Sequence, residues 1–397
     1  MSYQNYNKEK HYKEKAHSRV HKLPPINKNL LMIVLMLIIF GTVAIFSATT
    51  PDGVTYYENP LHYPIKHLVF ASIGIVTMVF ASRVHYKKWE EWVIPITIGV
   101  IIAIGATLIP GLGKTDFGSS RWLSIGPMQI QPSEFCKFTC ILIMATVLSK
   151  IKNLNCKFFW QYAALILIML GIIIKQPNLS MIIILGTTMC GMLFVAGLNK
   201  MIFVGGVTGI VTLLGFIVAN TTYQSTRIIG WLRPYDDPKG AGYNIIQSWY
   251  AIASGGLLGV GLGASKQKLH YLPVGYTDFI FAVIAEELGF IGVSVLVLLF
   301  LLFLNIGLKI ANRCQDNYGK LLAFGIVFNI SVQAIINMCV ASGLLPVTGV
   351  TLPLISYGGS SFIATCLMLG VLFNISRYAE KKERKTDNGK LQKRPQT

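Results

Sequence analysis

Acidic residues are scarce: the 397-residue chain carries 17 Asp and Glu against 35 Lys and Arg, a formal charge of +18, and charged residues of both signs make up only 13%. So thin a polar fraction is a poor match for a soluble globular domain. A Walker lysine motif, an HExxH pair and a nucleophile elbow are all missing, which removes the usual sequence signs of P-loop, zincin and α/β-hydrolase sites. The seven cysteines (136, 140, 156, 190, 314, 339 and 366) show no paired spacing, so neither a disulfide framework nor a zinc site is expected. Nor is a cleavable signal peptide expected. The first apolar run follows a long basic stretch and leads into further apolar runs, so it reads as a retained signal anchor.

What the chain has is hydrophobicity in long runs. Ten of them centre on 30–48, 67–84, 93–110, 133–149, 159–175, 178–196, 201–219, 278–305, 320–345 and 355–376. A spanning helix needs about 20 mostly apolar residues, because hydrocarbon offers the backbone no hydrogen-bond partner. The pattern therefore predicts an all-α polytopic membrane protein of about ten transmembrane helices, with a large extracytoplasmic loop between helices 7 and 8. The expected organisation is a basic tail over 1–29, a ten-helix membrane domain over 30–376 that includes the outer loop 220–277, and a second basic tail over 377–397.

The basic residues follow this topology. With a cytoplasmic N-terminus, the inner segments 1–29, 83–92, 150–158, 197–200, 306–320 and 377–397 hold 25 of the 35 Lys and Arg. That bias matches the positive-inside rule and predicts both termini on the cytoplasmic side. The positive charge is thus no sign of nucleic acid. Both tails read as solvated ends that touch anionic lipid.

Two outer segments break the pattern. Residues 111–132 form a polar loop that includes Gly118, Ser119, Ser120, Arg121 and Trp122. Residues 220–277 are longer and carry Arg227, Arg233, Asp236, Asp237, Lys239, Lys266, Lys268 and His270. A loop of that length in a compact protein is usually functional or disordered. Ile245, Ile246, Trp249 and Ile252 give it the spacing of short amphipathic helices lying at the membrane interface. Gly259, Gly261 and Gly263 imitate a phosphate-binding loop, but no strand precedes them and no nucleotide site is expected.

Charges within or beside spans are costly and need a cavity or a partner. Glu134 and Lys137 stand at i, i+3 at the start of the fourth span, where they either neutralise one another or serve a ligand. Asp278 opens the eighth span, where an N-cap aspartate is the ordinary expectation. Glu286 lies eight residues further on, about 12 Å deeper at the usual helical rise. For Glu286 and Glu287 a structural role is expected, with Gln333 and Asn337 on the ninth span as partners.

On these residues the chain resembles the SEDS family (shape, elongation, division and sporulation), whose members include FtsW, RodA and SpoVE. The likeness runs from about residue 30 to 378. It rests on Arg121-Trp122 followed by Gln131-Pro132-Ser133-Glu134; Gly242-Tyr243 to Gln247-Ser248; Leu272-Pro273, Thr277-Asp278-Phe279 and Glu286-Glu287-Leu288-Gly289; and Leu345 to Gly349 leading into Leu352 to Ser361. Some motifs resemble the elongation type, but Gly261 to Lys268 followed by Tyr271-Leu272-Pro273 leans towards the division and sporulation type.

The resemblance implies a peptidoglycan glycosyltransferase that polymerises lipid II at the outer face of the bacterial cytoplasmic membrane and releases undecaprenyl pyrophosphate. It also implies a class B penicillin-binding protein as transpeptidase partner, alongside other division or elongation machinery. Asp278 is the catalytic residue so implied, and as a general base it suits activation of the acceptor 4-hydroxyl. The expected substrate-binding set is Arg121, Glu134, Lys137, Arg227, Arg233, Lys268, Ser356 and Ser360. Of these, Arg121, Lys137 and one of Arg227 and Arg233 are the cations expected to hold the pyrophosphate.

The chain departs from the family pattern at Asn178, at Val274-Gly275-Tyr276 and at His270, where relatives often carry acids. Asp278 is left with few acidic neighbours, which weakens a divalent Mg or Mn site as a possible cofactor site. Two other functions stay open on sequence alone: a lipid II flippase, and a non-catalytic scaffold for the penicillin-binding protein.

Overall fold

The computed structural model describes residues 24–116, 119–126, 128–150, 156–197, 200–273 and 275–391. Each of the ten apolar runs lies on a helix: α1 (Lys28–Tyr57), α2 (His62–Arg83), α4 (Val93–Ala106), α5 (Ser133–Ser149), α6 (Cys156–Lys175), α7 (Leu179–Val195), α8 (Lys200–Ala219), α11 (Ile280–Arg313), α12 (Asn317–Ala341) and α13 (Gly359–Leu391). A short α3 (Tyr86–Glu91) precedes α4, and two helices lie in the long outer loop, α9 (Thr222–Leu232) and α10 (Tyr243–Gly255). Among the described residues six helices (α1, α2, α6, α11, α12 and α13) are long and apolar enough to cross a membrane, and α4 and α7 are shorter apolar helices. The protein is a multi-pass membrane protein.

Two features differ from the sequence expectation. Residues 111–132 are not simply a polar loop within an all-α protein, because they contain a small antiparallel sheet ordered β1 (Gly113–Asp116), β2 (Ser119–Ile125), β3 (Met128–Ile130). Leu123 pairs with Ile130, and Lys114 with Trp122. At the other end, α13 continues past residue 376 as far as Leu391, through a segment rich in the helix formers Glu, Lys and Arg.

The spans divide into an inner and an outer set. Helices α5, α12 and α13 are buried along most of their length, whereas α6 turns mostly outward. Polar groups inside the inner set are paired, as burial in an apolar medium demands. Asn329 Nδ2 donates to Thr188 Oγ1 at 2.9 Å and ties α12 to α7.

The long outer loop folds back onto the bundle. In α10 the apolar residues Ile245, Ile246 and Ala251 are buried, and the helix packs on α11 and α12. Its apolar face therefore meets protein, not the membrane interface as its spacing suggested. Ser248 Oγ donates to the Ala341 carbonyl at 2.6 Å, Trp249 Nε1 to Ser342 at 3.2 Å, and Trp231 Nε1 of α9 to Gly343 at 2.8 Å. Three donors thus fasten the loop helices to the C-terminal end of α12.

Helix α11 is broken at Gly289, which sits at φ 63°, ψ −165°. A break inside an apolar span leaves backbone groups that lipid cannot satisfy, so protein must supply the bonds. The Gly256–Gly261 segment does so. Val260 N donates to the Glu286 carbonyl (2.9 Å) and Gly261 N to Glu287 (3.1 Å), while Phe290 N and Ile291 N donate to Gly256 (2.9 Å) and Leu257 (3.2 Å). A Cβ on Gly259 would lie 2.1 Å from the Glu287 carbonyl oxygen, so the glycines permit close backbone approach. That is the structural use of the glycine run which imitated a phosphate loop.

Candidate active site

Asp278 lies immediately before the N-cap of α11, in the segment that enters the span. The N-cap of α11 is Phe279, with no side-chain cap bond, so the capping role for Asp278 is ruled out. Its backbone is held instead. Asn337 Nδ2 of α12 donates to the Asp278 carbonyl at 2.8 Å and to the Val350 carbonyl at 2.6 Å. On the preceding residue, Ser356 Oγ donates to the Thr277 carbonyl at 2.5 Å while accepting from Leu352 N at 2.7 Å.

Two arginines converge on the half-buried carboxylate. Burial pushes the Asp278 pKa up to about 6, and the charges of Arg227 and then Arg121 act in the opposite direction. Arg121 comes from β2 and is aimed by the α6–α7 corner, donating through Nε to Gln176 O (3.1 Å) and through Nη2 to Pro177 O (2.6 Å). Arg227 comes from α9, and its Nη1 donates to Val347 O at 3.3 Å. The third wall is Gly349, where an added Cβ would sit 3.4 Å from Asp278 Oδ2. The cluster is thus a carboxylate from the segment before α11 and two guanidinium groups from β2 and α9, walled by the α12–α13 connection.

The other expected binding residues have different duties. Lys137 is fully buried and donates to Glu134 Oε2 (2.6 Å) and Gln333 Oε1 (2.8 Å), so it is an internal ion pair and not an open phosphate ligand. Gln333 in turn donates to Thr351 O at 2.9 Å, and Thr351 Oγ1 bonds Ser361 Oγ at 2.9 Å, a chain that ends under the Gly349–Thr351 wall. Ser360 accepts from Gln131 N at 2.8 Å. Ser356 and Ser360 therefore pin backbone beside the site. Arg233 is 77% exposed at the end of α9, with Nη1 4.0 Å from Asp236 Oδ2, and does not join Asp278.

Glu286 and Glu287 are structural, as expected, but with other partners than Gln333 and Asn337. Glu286 accepts from Ser265 Oγ, from Lys266 N (3.0 Å) and from Gln267 N (3.3 Å), bracing the loop. Glu287 is bound by Lys268 Nζ at 2.8 Å and by Ser47 Oγ at 2.6 Å, so Lys268 is held in a buried pair. Asn178 caps α7 by accepting from Met181 N at 3.3 Å. The sequence offered no means of finding the Gln176 and Pro177 carbonyls, since backbone groups carry no side-chain signature. Asn337 and the Leu345–Gly349 motif were visible, but their meeting with Asp278 depends on the fold.

No group of three or more His, Cys, Asp or Glu gathers among the described residues. A lone carboxylate facing two arginines does not fit a protein-built Mg or Mn cage, which takes several oxygen ligands.

The family model described as cell cycle protein, covering FtsW, RodA and SpoVE, matches residues 28–381. The chain belongs to the FtsW/RodA/SpoVE family. It is 39% identical over 351 residues to a probable peptidoglycan glycosyltransferase FtsW of Geobacter metallireducens, covering 87% of this chain and 93% of that one. It is 40% identical over 359 residues to stage V sporulation protein E of Bacillus subtilis, covering 88% and 96%. Among solved structures it is similar to a chain of a peptidoglycan synthase complex described as coordinating polymerization and crosslinking, with 28% identity, a TM-score of 0.71 and coverage of 89% and 98%. The rod shape determining protein RodA of Thermus thermophilus shares the fold at 24% identity and a TM-score of 0.65, with coverage of 89% and 97%. These family members match along the whole bundle, so both the sheet that carries Arg121 and the loop that carries Arg227 lie within the shared region.

Proposed function

We propose that this chain is a peptidoglycan glycosyltransferase that polymerises lipid II at the outer face of the cytoplasmic membrane, with Asp278 as general base. The observation that carries the assignment is the Asp278 carboxylate itself, which caps no helix, has a pKa raised to about 6 and sits beside two arginines. At neutral pH it is ionised, yet it is a stronger base than an ordinary aspartate, which is the tuning that general-base work asks for.

The step balances as a direct displacement. Asp278 takes the proton of the acceptor N-acetylglucosamine 4-hydroxyl, and that oxygen bonds to the anomeric carbon of the donor. The carbon–oxygen bond to the pyrophosphate then breaks with its electron pair, inverting the centre from α to β-1,4. Arg121 and Arg227 receive the negative charge that develops on the departing undecaprenyl pyrophosphate, since guanidinium–phosphate bonds are charge-assisted and bidentate. The charged groups that act on Asp278 are Arg227 and Arg121 and include no second carboxylate, so the described cluster supplies no nucleophile for a covalent glycosyl-enzyme.

The topology supports the outward placement. The excess of Lys and Arg in alternate loops of the sequence favours cytoplasmic termini, an orientation in which the α9–α10 loop, next to Asp278, faces outward. The likeness to a chain of a polymerizing and crosslinking complex supports a class B penicillin-binding protein as partner. The deciding experiment is gel-resolved polymerisation of labelled lipid II by the purified protein, alone and with its cognate penicillin-binding protein, for wild type and Asp278→Ala. Glycan ladders that vanish in the variant while partner binding persists are expected. Absence of ladders under every condition, with lipid II still moving across vesicles, would turn the assignment to a flippase.

A further inference from the structure

Gln176, Pro177 and Asn178 interrupt the apolar sequence between α6 and α7, and both amide side chains are buried there. Gln176 is only 1% exposed, so its amide needs partners inside the protein. It finds them at the C-terminal end of α4, where Nε2 donates to the Ile104 carbonyl at 3.1 Å and to Thr107 Oγ1 at 2.6 Å. The Thr107 hydroxyl gives its one proton to the same Ile104 carbonyl at 2.8 Å, so towards Gln176 it can only accept. With acceptors on both contacts, the amide has a single orientation. Its Oε1 is left buried with no partner among the described residues.

The main chain of the same residue faces the Asp278 cluster. The Gln176 and Pro177 carbonyls take the Nε and Nη2 of Arg121, and two consecutive acceptors on one edge of a guanidinium fix its plane as well as its position. Two residues beyond Asn178, Ser180 Oγ donates to the Thr348 carbonyl, next to the Gly349 wall. The corner therefore seats Arg121 on one side and meets the wall of the cluster on the other. Gln176 ties it to α4.

A plain helix cap explains part of this. Leu108 N donates to the Gly105 carbonyl at 3.0 Å, which leaves the Ile104 carbonyl as one of the orphan acceptors of a helix end, and Nε2 satisfies it. Capping accounts neither for a buried amide kept with an unpartnered Oε1 nor for the cap residue being the one whose own carbonyl holds Arg121.

We propose that Gln176 is a positioning residue for glycosyl transfer, which locks the α6–α7 corner to α4 and so holds Arg121 where charge develops on the departing pyrophosphate. The inference rests on the glycosyltransferase reading and adds to it a residue that acts through Arg121. A guanidinium already in place stabilises the leaving group without reorganising. Because that charge grows only as the bond breaks, a loosened Arg121 lowers kcat more than it raises KM.

The test is made on the full chain with Gln176→Met, which keeps the length of the side chain and removes both donors. Its kcat on lipid II is expected to fall about 10- to 100-fold, with KM changed by less than about threefold. The charge of Arg121 also acts on Asp278, which gives a readout that needs no turnover: infrared titration of the Asp278 carboxyl, its band assigned by its loss in Asp278→Asn. Arg121 and Arg227 both hold the midpoint down, so loosening Arg121 is expected to raise it, in the direction that Arg121→Gln does. In the Arg121→Gln background, Gln176→Met is expected to add nothing to either readout. Asn178→Ala removes the α7 cap at the same corner and is expected to lower the unfolding temperature while leaving the midpoint in place. If Gln176→Met does not fold, Thr107→Val removes one of the two acceptors and is expected to shift the midpoint the same way by less. An unchanged midpoint in the folded variant, a shift that persists without Arg121, or an equal shift in Asn178→Ala would overturn the role and leave Gln176 as a cap of α4. Inactivity of the wild type towards lipid II would defeat the glycosyltransferase reading, whereas the titration still decides whether Gln176 seats Arg121, so the two fail separately.

Discussion

Two sets of charged residues flank the outer ends of these helices, and they have been solved in opposite ways. Glu134–Lys137 and Glu287–Lys268 are closed pairs, each buried and each completed by a third group, Gln333 in one and Ser47 in the other. Asp278 caps no helix, and the two arginines whose charge falls on its carboxylate are themselves anchored to backbone carbonyls of Gln176, Pro177 and Val347. Sequence alone shows both sets as unusual charges near a membrane. Pairing distinguishes a structural charge from one held ready for a ligand, because a satisfied ion pair has little left to offer and an intruding substrate would have to replace its bonds.

That contrast can be broken most sharply at the two carboxylates themselves. Asp278→Asn keeps shape and hydrogen-bonding capacity but removes the base, so polymerisation is expected to fall on the order of 10²–10⁴-fold with thermal unfolding nearly unchanged. Lys137→Met should do the reverse in character: it strands Glu134 in the bundle and costs about 3–5 kcal/mol of stability, read as a lower unfolding temperature, while Glu134→Gln combined with Lys137→Met recovers part of that loss. If Lys137→Met left stability intact and abolished only lipid II binding, the pair would belong to the site after all.

Smaller effects sharpen the picture. Gly289→Ala places a side chain in a backbone region open essentially to glycine, with Cβ 2.3 Å from Gly259 N, and is expected to destabilise by about 1–3 kcal/mol or more. Hydrogen exchange should locate the loss at the α11 break and the 256–261 segment. Arg227→Gln removes the larger of the two charges that lower the Asp278 pKa, so the acid limb of the rate profile should move above about 6. Arg233→Gln, at an exposed and loosely paired position, should change the rate less than about twofold.

The ten helices were legible because each is announced by its own hydrophobic run, a local signal that survives any arrangement of the bundle. Asp278 was legible through its motif, and the internal pairing of Glu134 with Lys137 through the i, i+3 spacing. What could not be read depends on contacts between distant segments. Glu286 faces Ser265 and two loop amides in place of Gln333 or Asn337 because the outer loop dips back to the break in α11. No periodicity announces that break, since the helical run continues on both sides of Gly289. The small sheet at 113–130 escaped for a related reason: β2 reads Ser-Ser-Arg-Trp-Leu-Ser-Ile, without strict alternation, its neighbours have only three and four residues, and it aims Arg121 at the α6–α7 corner.

The most direct test of the central claim is the pH dependence of the polymerisation rate under saturating lipid II, measured for wild type and for Arg227→Gln. An ionised Asp278 base requires a rate that climbs about tenfold per pH unit below about 6 and levels off above it, with the limb displaced to higher pH in the variant. A limb that stays in place when Arg227 is neutralised, or one near the ordinary aspartate value of 3.8, would contradict the assignment of the titrating base to Asp278.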